Sequence, residues 1–307
     1  MLLAKWSAEQ HNFALAIVIS TWGSSPRQRG SLMAIRDDGL IEGSVSGGCV
    51  EASVIETASQ LMTTGGAERL DFGVADETAW EVGLSCGGKI SVWVCSKSAI
   101  QPELITDAAS SIAARQPVYI DCLAGGQMMQ AGHKAEDNQF DVSTDCFHLA
   151  ILPRPRLIII GAVHISQHLA PMANATGFDV LVIDPRTGFA NPARFPESEV
   201  IDDWPQDVLD AASLDHHTAI VTLTHDPKID DEALKIALRG NPYYLASLGS
   251  RKTHEARKTR LRETGFTDAQ IDHIKGPAGL DIGAKTPAEI AVSVLAELIA
   301  SYRAKLS

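Results

Sequence analysis

From residue 157 onward, short apolar runs alternate with stretches of helical period, and this alternation constrains the fold more than any other feature of the sequence. Leu157 to Ile160 is wholly apolar, and residues 165–176 have a helical pattern. Val180 to Ile183, Ala219 to Leu223 and Tyr243 to Ser247 read as further strands. Asp230 to Arg239, Arg251 to Thr264 and Pro287 to Tyr302 read as helices. Thr286, Pro287 and Glu289 supply the last helix with an N-cap, a first-turn proline and a capping box. Strands separated by helices pair through crossovers, so this half predicts a doubly wound parallel sheet of the Rossmann type.

Residues 1–152 do not alternate in this way. Phe13 to Ser20 reads as a buried strand and Ser31 to Ile35 as another, with Asp37-Asp38-Gly39 as a hairpin turn. A helix follows over Val50 to Met62, with strands at Arg69 to Val74 and Lys89 to Cys95. Gln101 to Arg115 is a helix, and Pro117 to Leu123 and Phe147 to Leu152 are strands. The pattern is mixed α+β. Pro153-Arg154-Pro155-Arg156 forbids helix and interrupts a ladder, which places a boundary between an N-terminal domain, 1–152, and a C-terminal domain, 157–307. The expected fold class is therefore α/β: an N-terminal mixed α+β domain, then a Rossmann-like doubly wound parallel sheet.

Charge and cysteine usage narrow the function. A formal charge of -12 argues against a general nucleic-acid surface. No run is long and apolar enough to span a bilayer, and the first residues lack a signal-peptide pattern. The cysteines Cys49, Cys86, Cys95, Cys122 and Cys146 are scattered with no CxxC pair. That pattern predicts reduced thiols in the cytoplasm, with neither a disulfide framework nor a structural zinc site. Cys95, Cys122 and Cys146 lie in or beside apolar runs and read as core residues. His216-His217 reads as surface.

The densest chemistry lies in Gly43-Ser44-Val45-Ser46-Gly47-Gly48-Cys49-Val50-Glu51, between a strand and a helix. Glycines let a ligand approach the main chain, and the amides at a helix start favour anions and thiolates. Ser44, Ser46, Gly47 and Gly48 are candidates for holding a phosphate. Cys49 is a candidate soft metal ligand or sulfur carrier. The loop before it carries Arg27 and Arg29, whose guanidinium groups suit phosphate. A second glycine-flanked cysteine appears in Ser85-Cys86-Gly87-Gly88. Whether Cys49 and Cys86 share a pocket is open at this level.

In the second half, ligand-binding residues belong at the carboxyl ends of the strands. Those ends carry Gly161 and His164, Asp184, His225, and Ser250 with Arg251. Asp184 stands where an acidic residue would hold a ribose hydroxyl, and Ser250-Arg251 looks like an anion site at a helix start. His164 and His225 are candidate acid/base groups or metal ligands. The turn Gly161-Ala162-Val163-His164-Ile165-Ser166 departs from GxGxxG, with valine in place of the glycine that admits a pyrophosphate.

These segments, taken in order, resemble the XdhC/CoxI family of accessory proteins to molybdenum hydroxylases. The resemblance rests on Gly23-Ser24-Ser25-Pro26-Arg27, Gly43 to Glu51 and Ser85-Cys86-Gly87-Gly88 in the first half. In the second it rests on Ile183-Asp184-Pro185-Arg186, Arg194-Phe195-Pro196, Thr224-His225-Asp226-Pro227, Leu248-Gly249-Ser250-Arg251-Lys252 and Gly279 to Ala291. The chain departs from the family at Val163, usually glycine, and at Ser85, commonly glycine. The resemblance implies binding of the molybdenum cofactor (molybdopterin), protection of it during sulfuration, and insertion into a xanthine-dehydrogenase-type hydroxylase. It implies the hydroxylase and a cysteine desulfurase as partners, and on that reading Cys49 and Cys86 are expected to contact the cofactor's molybdenum end or to carry sulfur. A homodimer is compatible with such a handover. The alternatives are an NAD(P)-dependent oxidoreductase using Asp184 and His164, and a sulfurtransferase carrying a persulfide on Cys49.

Overall fold

Strand β1 (Phe13–Trp22) is apolar on both faces because both faces are covered. The computed structural model describes residues 1–23, 27–73, 88–123, 128–130 (backbone only) and 138–305. The chain divides into two units, Met1–Pro153 and Arg154–Ser307.

The first unit begins with α1 (Leu2–Ala8), β1, β2 (Leu32–Arg36), β3 (Ile41–Gly43), α2 (Glu51–Thr64), β4 (Ala67–Phe72) and β5 (Lys89–Ser96). It continues with α3 (Pro102–Ala113), β6 (Val118–Leu123), β7 (Met128–Gln130), β8 (Gln139–Asp141) and β9 (Cys146–Ile151). Strands β3-β2-β1-β5-β4 form one antiparallel sheet and β7-β6-β9-β8 another. On one face of the larger sheet, Val54, Ala58 and Leu61 of α2 pack against Ala14, Ala16, Val18, Val92 and Val94. Their i, i+4, i+7 spacing is one helical face. On the other face, Phe13, Leu15, Ile17 and Ile19 meet Leu104 and Ile105 of α3 and Ile120, Phe147 and Leu149 of the smaller sheet. Each fully buried Val, Leu, Ile or Phe contributes roughly 1.5–3 kcal/mol of transfer free energy, so β1 is the best-anchored strand of the unit.

The second unit runs β10 (Arg156–Ile160), α4 (His164–Ala175), β11 (Asp179–Ile183), β12 (Glu199–Ile201), α5 (Pro205–Val208) and β13 (Thr218–Thr222). It closes with α6 (Pro227–Ala237), β14 (Tyr244–Ser247), α7 (Arg251–Glu263), α8 (Asp268–Ile271), β15 (Ile274–Lys275) and α9 (Pro287–Lys305). All strands are parallel, in the order β12-β11-β10-β13-β14-β15. This is the doubly wound Rossmann order, and its topological switch lies between β10 and β13. The four interior strands are those the sequence indicates. The edges β12 and β15 have only three and two residues and carry no readable periodicity. The capping box of α9 is formed: Glu289 Oε2 accepts from the Thr286 amide at 2.9 Å, and Thr286 Oγ1 accepts from the Glu289 amide at 3.3 Å. His217 differs from expectation. It is buried, because it immediately precedes the fully buried β13.

Candidate functional site

The loop before α2 folds around a carboxylate of its own chain. Gly43, Gly47 and Gly48 adopt φ of 87°, 80° and 121°, which turn the amides inward. A Cβ on Gly43 would lie 2.3 Å from the Leu32 carbonyl oxygen. Glu51 is the first residue of α2, and its side chain reaches back into the concavity. Its Oε1 accepts from Ser44 Oγ at 2.7 Å and from the amides of Ser46 at 2.8 Å, Gly47 at 3.0 Å and Val45 at 3.3 Å. Oε2 accepts from the Gly48 amide at 2.8 Å and from Ser46 Oγ. Burial alone would raise the Glu51 pKa, but hydrogen bonds from Ser46 and Ser44 outweigh it, and the carboxyl is lowered to about 2.

The expected anion cradle is thus present, with a different occupant. The donors of Ser44, Ser46, Gly47 and Gly48, expected to face an outside phosphate, are engaged by Glu51. An acidic residue in the first helical turn was the signal for this, since helix starts stabilise carboxylates. The arrangement also holds Cys49. Ser46 Oγ accepts from the amides of Cys49 at 2.9 Å and Val50 at 3.0 Å, so the half-buried cysteine stands at a fixed point before α2.

The topology gathers the flanks of the other first-half motifs at the same end of the sheet. Trp22 pairs with Lys89, Met33 with Gly43 and Phe72 with Ile90. The end of β1, the end of β3, the end of β4 and the start of β5 therefore all lie at one end of the sheet. Arg27 and Arg29 lie exposed in the loop after β1. Asn138 ties that loop to β9, donating to the Arg29 carbonyl at 3.4 Å and accepting from the Ala150 amide at 2.9 Å. A Cβ on Gly23 would stand 3.4 Å from Gly88 Cα, so the backbones flanking the arginine loop and the second cysteine loop approach closely. Cys86 and Gly87 lie outside the described residues. Trp22, which sequence reasoning passed over, is 68% exposed at this end, an unusual position for a large aromatic side chain.

At the carboxyl ends of the Rossmann strands, the expected ligand groups mostly serve one another. Gly161 has φ of 109°, and a Cβ there would meet Thr224 Cγ2 at 2.6 Å. Asp184 is fully buried. Its Oδ1 accepts from Arg186 Nε at 2.8 Å and the Arg186 amide at 3.0 Å. Its Oδ2 accepts from Arg186 Nη2 at 2.7 Å and the Ala162 amide at 2.8 Å. Four donors fill the lone pairs that a ribose hydroxyl would need. Desolvation pushes Asp184 upward, and the Arg186 and Ala162 hydrogen bonds overcome it, leaving the pKa below the ordinary carboxylate value. Arg194 secures the same turn through the Ala162 carbonyl at 2.8 Å and Gln167 Oε1 at 2.9 Å.

His164 is exposed at the first position of α4 and stacks toward His168, with ring centroids 5.0 Å apart. His225 is exposed on a left-handed backbone, φ 63°, and its amide donates to Asp230 at 3.0 Å. Ser250 caps α7 through the Thr253 amide at 3.1 Å, and Arg251 beside it is exposed.

Comparison with known proteins agrees with this architecture. Residues 157–298 match the XdhC Rossmann domain, and residues 6–73 match the XdhC and CoxI family. A relative from Bacillus subtilis (strain 168), named as a probable subunit of xanthine dehydrogenase, is 30% identical over 95% of this chain and 93% of its own. The molybdenum cofactor insertion chaperone PaoD of Escherichia coli (strain K12) is 29% identical over 94% of this chain and 83% of its own. The crystal structure of a xanthine dehydrogenase from Bacillus halodurans superposes with a TM-score of 0.80 at 25% identity, covering 99% of this chain and 95% of that one. With the relative from Bacillus subtilis matched along almost its whole length, the chain belongs to the XdhC and CoxI family.

Proposed function

We propose that this protein is an accessory factor that binds molybdenum cofactor as cargo, keeps it while its sulfido ligand is installed, and inserts it into a xanthine-dehydrogenase-type hydroxylase. The observation that carries this reading is the placement of Cys49. A soft sulfur, held by Ser46 and Glu51 before a helix, shares one end of the sheet with the exposed cations Arg27 and Arg29. Thiolate suits a soft metal centre, and guanidinium groups suit the phosphate of a pterin cofactor. The name of the relative PaoD points the same way.

The residues divide the work by chemistry. Glu51 fixes the loop, so its amides do not hold the cargo's phosphate. Arg27 and Arg29 take that role. Cys49 contacts the metal end, and Cys86, which lies outside the described residues, is the second sulfur proposed for it. A cysteine desulfurase supplies sulfur, and the hydroxylase receives the finished cofactor.

The test is delivery. Protein loaded anaerobically with molybdenum cofactor is mixed with cofactor-free hydroxylase, and the activity that appears is followed. Cys49→Ala is expected to lower delivery by at least about tenfold while its melting temperature stays within the range of a surface substitution. Delivery equal to wild type would remove Cys49 from the site.

A further inference from the structure

The smaller sheet of the first unit carries a group of ligating side chains that the glycine loops do not include. Asp121 on β6 stands directly across from His148 on β9. Cys146 lies two residues before His148 on the same strand, so the period of two puts all three on one face. Oδ1 of Asp121 and Nδ1 of His148 are 2.6 Å apart. One ligand atom from each of Asp121, Cys146 and His148 lies within 4.8 Å of both others. Cys146 is buried, while the side chains of His148 and Asp121 are 33% and 26% exposed.

We propose that Asp121, Cys146 and His148 form a binding site for a divalent transition-metal ion of the zinc class. A thiolate, an imidazole and a carboxylate are the donor types that zinc accepts, and calcium or magnesium would not choose a sulfur. Two anionic ligands balance the ion's two charges. Asp141 pairs across from Cys146 on β8 and adds a further negative charge beside the sulfur. A core cysteine kept only for packing has no need of this company. Cys95, by contrast, is buried on β5 among Trp93, Leu15 and Ile120.

The geometry requires only side-chain adjustment. Tetrahedral zinc ligands stand roughly 3.3–3.6 Å apart, so the Asp121–His148 pair opens by about 0.7 Å and Cys146 Sγ closes by at most about 1.5 Å. On binding, the sulfur–metal bond replaces the S–H bond of Cys146, and that proton passes to solvent. His148 donates a ring-nitrogen lone pair as the neutral imidazole, and Asp121 binds as the carboxylate. Water takes the remaining position. None of these residues belongs to the cargo site, so the inference stands or falls apart from the proposed function.

Cobalt(II) is the probe, because a cobalt–thiolate bond gives a charge-transfer band in the near ultraviolet. Full-length protein is stripped with a chelator and titrated anaerobically with cobalt, then competed with zinc. The expected result is one cobalt per chain with a thiolate band that zinc abolishes. Cys146→Ser should remove the band. His148→Gln changes a half-exposed residue without disturbing the core, and should weaken binding by at least about tenfold, since even outer partners of metal ligands are worth 10–100-fold. Cys49→Ser should leave the band in place. The proposal is overturned by a titration with no thiolate band, by a band that persists in both Cys146→Ser and His148→Gln, or by one that disappears only in Cys49→Ser.

Discussion

Glu51 shows how one side chain sets the chemistry of a loop. A nest of amides would otherwise bind whatever anion was at hand, and the chain supplies its own. Glu51→Gln keeps the shape but removes the charge, leaving several donors facing a neutral oxygen or a like donor. The expected loss is about 1–3 kcal/mol at neutral pH, read from urea unfolding. The folded carboxyl titrates near 2, below its unfolded value of about 4.3. Its contribution is therefore full above pH 5 and fades as the pH falls through that window. The wild-type advantage should shrink toward pH 2–3; a difference constant from pH 7 to pH 3 would contradict the assignment. Asp184 makes a similar case in the second unit. It is buried and paired in bidentate fashion with a partly exposed Arg186. Asp184→Asn should cost about 2–3 kcal/mol, measured by the shift of the unfolding midpoint, with the exposure of Arg186 moderating the loss.

At the level of elements, glycines mark where the turns cannot take a side chain. Gly43→Ala would drive a methyl group to 2.3 Å from the Leu32 carbonyl oxygen on a left-handed backbone. Gly161→Ala would meet Thr224 in the same way. Each should destabilise by roughly 2 kcal/mol or more, visible as a lower melting temperature. An unchanged melting temperature for Gly43→Ala would contradict the left-handed turn between β3 and α2. The first of these turns was legible in the sequence from its glycine cluster, Gly43, Gly47 and Gly48, and the second from a lone glycine, Gly161, between an apolar strand and a helical run. So were β1, β10, β11, β13 and β14, whose apolar runs match strands in the core; β5 reads as an alternating strand, yet it is buried from Ile90 to Ser96. What escaped was either too short or too polar to carry a pattern. The edge strands β12 and β15, and β3, β7 and β8, have two or three residues each. The candidate site was legible in residue types but not in their partners. Donors at Ser44 to Gly48 could be read as phosphate ligands because the sequence does not show that Glu51 folds back. Asp184 could be read as a ribose ligand because the sequence does not show Arg186 beside it. Asp121, Cys146 and His148 were missed as a group because their alignment depends on the register of β6 and β9.

For the whole molecule, the two units have separate hydrophobic clusters, which bury the two sheets of the first unit and the single sheet of the second. Residues 1–153 and 154–307, expressed apart, should each show cooperative thermal unfolding; a fragment without a transition would show that its core is incomplete. Among the described residues no helix is long and apolar enough to cross a membrane. The charge of -12 leaves cations such as Arg27 and Arg29 as local features on an acidic protein, which suits a phosphate-bearing cargo held at one place. Under the proposed function this cargo is molybdenum cofactor, held at the Cys49 end of the first sheet. The direct measurement is molybdenum and pterin content, determined together on protein purified anaerobically from a host that makes the cofactor, for wild type and Cys49→Ala. Metal and pterin are expected in equal amounts on the wild type and are expected to be lost from the variant. Absence of pterin from the wild type, even after incubation with free cofactor, would contradict the proposed function.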